Sequence, residues 1–81
     1  MNRLSKENKL TIRTLKEYIL TRVQLVVKYD PKRALLVTEI ALKELLDVLT
    51  ISEASTWFLD CLSRGSDMIT IDYISRLNNN L

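Results

Sequence analysis

The sequence predicts an all-α fold: one compact four-helix domain, residues 1–81, with a long central apolar helix and a short C-terminal helix. Three observations carry this. The chain has one glycine and one proline in 81 residues, too few turn-formers for a loop-rich fold. Hydrophobic residues make up 47% of it, mostly Leu, Ile and Val, enough to give a chain of this length a single core. Helix-start signals recur along it, at Asp30-Pro31, at Thr50-x-x-Glu53 and at Thr70.

The first helix is expected from Ser5 or Thr11 to Tyr29. Ile12, Leu15, Ile19 and Val26 keep a helical seam, with Tyr18, Val23 and Leu25 beside it. Val23, Leu25, Val27 and Tyr29 also alternate with Arg22, Gln24 and Lys28 as a strand would. The β-branched crowding makes 23–29 the least helical stretch, but length favours a helix. Pro31 disfavours helical geometry at Asp30, so the first helix must end there. Asp30 then caps the second helix, with Pro31 at its first position.

That second helix is expected over 31–49. Its polar positions Lys32, Glu39, Lys43, Asp47 and Thr50 form one narrow stripe, and nearly everything else is apolar. A stripe of hydrophobics this wide calls for packing on two sides, and makes this the central helix. The capping-box spacing of Thr50 and Glu53 starts a third helix, 51–63, whose Ala54, Trp57, Phe58, Cys61 and Leu62 share one face. Gly65 reads as its stop. In the tail, Ile69, Ile71 and Tyr73 alternate like a strand, yet Thr70 is a good N-cap and Ile69 and Ile74 have hydrophobic-staple spacing. A fourth helix over 71–78 is expected, with Asn78 to Leu81 frayed.

Charge is divided by position. Residues 1–33 hold nine cations against three anions, a local net of +6, and residues 34–81 hold three cations against seven anions, a net of −4. The whole-chain +2 hides this asymmetry, which points to an anionic partner or to the acidic half of another copy.

Most chemistry is absent. There is no histidine, so the commonest general base and metal ligand is missing. One cysteine cannot form a zinc site, and one glycine cannot form a phosphate-cradling loop. Cys61 falls on the Trp57/Phe58 face, where it reads as a buried, inert thiol. Glu44 and Asp47 have the spacing of an acid/base pair but read as a solvated helix face. The expectation is a chain that is not an enzyme, with no cofactor, metal or small-molecule substrate. A lone cysteine fits a reducing compartment, no apolar run follows Arg3 and Lys6 as in a secretory signal, and no uncharged run is long enough to span a bilayer. The expected location is cytoplasmic.

The expected function is therefore binding. Lys6, Lys9, Arg13 and Lys16 are spaced by three, four and three residues, which lines them along one ridge of the first helix. Tyr18, Leu35, Leu42, Leu46 and Trp57 are the candidate interface anchors, since aromatic and aliphatic side chains dominate interface energy. The favoured reading is a small adaptor or regulator that binds another protein, as a homodimer, with the basic ridge facing an acidic surface. The alternative is a nucleic-acid-binding regulator using the same ridge, each phosphate contact adding salt dependence. The helices around Gly65, residues 57–76, resemble a helix-turn-helix reader in having a glycine turn between apolar faces. The longer connection and the few donors on the second helix depart from that pattern. A third class is a structural subunit whose copies assemble head to tail through the charge division.

Overall fold

The computed structural model describes residues 5–81; Arg3, counted above among the N-terminal cations, lies outside them. The fold is all-α, with four helices: α1 (Lys6–Val23), α2 (Pro31–Val48), α3 (Ile51–Arg64) and α4 (Ile71–Asn79). No strand occurs among the described residues, and no helix is long and apolar enough to cross a membrane.

Each helix begins where a short polar side chain satisfies an orphan amide. The Ser5, Asp30, Thr50 and Thr70 side chains accept from the amides of Asn8, Arg33, Glu53 and Tyr73. At Thr50 the cap is reciprocal: the Thr50 amide donates to Glu53 Oε1 at 2.9 Å, and the Glu53 amide to Thr50 Oγ1 at 3.1 Å. Ile69 and Ile74, the staple pair around Thr70, are both buried. α3 ends at Gly65, whose φ of 64° is left-handed. Its amide reaches the Leu62 carbonyl while that of Ser66 reaches the Cys61 carbonyl, the double bond of a Schellman stop.

Two expectations about element boundaries change. α1 ends at Val23 and not near Tyr29. The amides of Leu25 and Val26 turn back onto Arg22 and Val23, and the chain then extends towards the proline. This turn puts Val27 in the core and leaves Leu25 and Tyr29 exposed, so 23–29 is neither helix nor the alternating strand. At the other end α4 continues to Asn79. Asn78, expected to fray, is held by Arg33, whose guanidinium donates to Asn78 Oδ1 at 2.5 Å and to its carbonyl at 2.6 Å.

The centre of the fold is a pair. α1 and α2 are both 18 residues long, and each packs against all three other helices, whereas α3 and α4 have no Cα atoms within 8 Å of each other. Leu15, Ile19 and Val23 of α1 meet Ala34, Val37, Ala41, Leu42 and Leu45 of α2, closed by Ala54 and Cys61 of α3 and Ile74 of α4. Thr38 is fully buried in this layer; its hydroxyl donates to the Ala34 carbonyl one turn back at 2.7 Å, so no polar atom is stranded. Leu35 and Leu36 of α2 are half-exposed and Val48 more so. The wide apolar stripe of α2 is thus only partly covered.

What separates α3 from α4 is their connection, residues 65–70, which lies across α1. Met68 and Ile69 are buried there. The Met68 amide donates to Tyr18 Oη at 3.0 Å, while the Tyr18 ring meets Phe58 edge-on at 5.3 Å. Arg22 donates from Nε to the Ile69 carbonyl at 3.3 Å and from Nη2 to Asp67 Oδ2 at 2.9 Å. Two side chains of α1, one turn apart, therefore hold the connection by its backbone. Tyr18→Phe keeps the ring packing but leaves the part-buried Met68 amide without a partner, which costs about 1–3 kcal/mol. Urea unfolding should show that loss as a lower midpoint at unchanged slope; an unchanged midpoint would remove the hydroxyl from the account.

Candidate docking groove

Because α3 and α4 stand apart, a groove is left between them over the C-terminal half of α2. The resulting groove holds about 660 Å³. Ala41, Leu45, Met68 and Ile69 are its apolar lining in the middle; Glu53 and Trp57 come from α3, Tyr73 from α4, and Glu44, Val48 and Leu49 from α2 and its end. Val48 is 81% exposed and Trp57 40%, so two large apolar side chains at this groove face solvent.

The charged groups lining the groove are all carboxylates, Glu44 and Glu53. Capping keeps Glu53 ionised: the Thr50 amide, and then its hydroxyl, hold the carboxyl below its ordinary value. That contribution is present above the ordinary carboxyl pKa and fades as the pH falls. Glu44 accepts from Tyr73 Oη at 3.0 Å. Burial first, and the Glu44 carboxylate second, push the Tyr73 phenol up to about 12. Thr70 Oγ1 is already engaged with the Tyr73 amide. The lining's carboxylates, phenol and hydroxyl thus all have partners within the chain, so few groups remain to orient a small polar ligand. The groove offers apolar area under a negative rim.

The basic ridge is divided by the fold. Arg13 pairs with Glu17 at 3.3 Å along α1, and Lys16 pairs with Glu39 across to α2. Lys6 and Lys9 are exposed and make no ion pair among the described residues. Lys16–Glu39 and Arg22–Asp67 both join the basic N-terminal part to the acidic remainder, so part of the charge division is met inside one molecule.

The other candidates lie in different places. Leu42 is buried in the core and Leu46 packs partly against it. Tyr18 is committed to Phe58 and Met68. Leu35 is half-exposed on α2, away from the groove lining, and Trp57 alone of the five lines the groove. Cys61 is buried, and no cluster of metal-ligating side chains occurs among the described residues. The connection from Gly65 to Thr70 is six residues long and α3 and α4 do not pack together, unlike a helix-turn-helix pair. Glu44, Val48 and Tyr73 were missed as groove residues. The available signal was Met68-Ile69, two large apolar residues inside a connection, which must dock somewhere and so decide where the flanking helices lie.

Compared with known protein families, curated proteins and solved structures, the chain matches none of them.

The Tyr73–Glu44 contact has a pH signature. The folded phenol titrates near 12 against about 10 when unfolded, so its contribution is fully present below pH 10 and is lost as the pH rises towards 12. The wild-type denaturation midpoint should fall more steeply across that window than that of Tyr73→Phe. Parallel curves would mean that neither burial nor Glu44 holds the phenol in its neutral form.

Proposed function

We propose that this chain is a non-enzymatic helical adaptor that binds another protein by receiving a cationic amphipathic helix in the groove between α2, α3 and α4. The observation that carries this reading is the pairing of exposed Val48 and Trp57 with a groove whose only charged lining groups are carboxylates. Exposed apolar area framed by charge marks an interaction surface, and a helix laid in such a groove buries one apolar face while its flanking cations meet the rim. Electrostatic complementarity of this kind selects partners and speeds encounter more than it adds affinity. A cytoplasmic location fits the single cysteine.

Nucleic-acid binding through the ridge is the weaker alternative. Two of its four cations are already paired, and Lys6 and Lys9 alone would give a log–log salt slope of about −2 on duplex DNA.

Trp57, the chain's one tryptophan, reports directly on the groove. A synthetic helical peptide with Lys flanking a Leu strip should shift Trp57 emission to shorter wavelength and saturate, whereas the same peptide with Glu for Lys should not. Equal responses to both peptides, or to neither, would sink the reading. Binding of labelled DNA or RNA that Lys6→Glu with Lys9→Glu abolishes would move the nucleic-acid alternative ahead.

A further inference from the structure

We propose that the cationic helix received by the groove is the N-terminal end of α1 from a second copy of the chain, so that copies associate head to tail. This inference rests on the groove being a docking site for a cationic helix, and it names that helix.

The end of α1 has the complementary chemistry. Lys6 and Lys9 are exposed there and outside every ion pair of the described residues, and Leu10 is 64% exposed. Lys6 and Leu10 are four apart and so share a face of the helix. Leu10 edges a hollow of about 170 Å³ between α1 and α3, with Phe58 and Leu59 opposite; Leu59 and Leu62 extend the apolar surface into solvent. Lys6, Lys9 and the exposed Leu10 on one copy, net positive even with Glu7 between the lysines, thus answer two carboxylates beside Trp57 and Val48 on another.

One molecule cannot satisfy itself in this way. Leu59 lies two residues beyond Trp57, about 200° around α3, so the leucine surface and the groove occupy opposite flanks of that helix. Symmetric pairings of like surfaces gain less: groove against groove would collect Glu44 and Glu53 of both copies, and α1 end against α1 end would set four lysines against two Glu7 carboxylates, a net positive contact. The remaining arrangement seats the α1 end of one copy on the groove of the next, either reciprocally within a pair or onward into a ring or filament. Of the interface anchors expected from the sequence, Tyr18, Leu35, Leu42, Leu46 and Trp57, this contact uses Trp57 alone.

Sedimentation velocity on the full chain tests this with charge exchange. Wild type should show a mass above that of one chain, rising with concentration and falling at high salt. Lys6→Glu with Lys9→Glu should sediment as single chains, and so should Glu44→Lys with Glu53→Gln, in which Gln keeps the capping box. Mixing the two variants should restore association, because each reversed surface then finds an opposite one. Helical circular dichroism confirms that each variant is folded, and the salt series on wild type needs no variant. Single chains at every concentration, or association that the substitutions leave unchanged, would overturn the proposal. If wild type stays single while Trp57 still answers the Lys-flanked peptide, the groove reading stands and the partner is another protein; if Trp57 answers nothing, both fail.

Discussion

The seating of residues 65–70 on α1 is the constraint from which the rest of the structure follows. Tyr18 and Arg22 take hold of the Met68 amide and the Ile69 carbonyl, and the two buried side chains lie in the groove lining with residues of α2, α3 and α4. With the connection in place, α3 packs on one flank of the α1–α2 pair and α4 is tied to α2 by Arg33–Asn78 and Tyr73–Glu44. A groove remains over the C-terminal half of α2, with Val48 at its end facing solvent. The radius of gyration, 12.8 Å, sits slightly above the roughly 12 Å of a fully compact chain of this length.

Charge follows the same geometry. The N-terminal cations do not form one uniform field: Lys16 and Arg22 reach acids on α2 and in the 65–70 connection, while Lys6 and Lys9 project at the far end of α1. Surface pairs of this kind contribute little to stability one by one. Their larger effect is to sort which charges remain for a partner. Those left at the α1 end, Lys6 and Lys9 with Glu7, are net positive, and those at the groove are negative.

How much of this was legible in the sequence depends on the range of each interaction. Asp30-Pro31, Thr50-x-x-Glu53, Gly65 and Thr70 act within a few residues of themselves, and the helix starts and the α3 stop fall where those residues place them. The end of α1 was not legible, because Val23–Tyr29 satisfies both periodicities and only tertiary burial of Val27 decides between them. Tyr18 and Arg22 carry no mark of their role, since their partners lie 45 to 50 residues away. The groove was hidden for the same reason: a wide apolar stripe on α2 shows that something must cover it, and not that the connection after Gly65 prevents full cover. Of the candidate interface residues, Trp57 alone reached the groove, because its position on α3 faces the side that the connection leaves open.

Native-state hydrogen exchange at the Met68 amide tests the central claim most directly. A seated connection predicts that this amide exchanges only through a substantial opening, with protection close to that of Ile19 in the interior of α1. Exchange near the rate of an unstructured peptide, with Ile19 still protected, would show that the connection is not held by α1, and the account of the groove would fall with it.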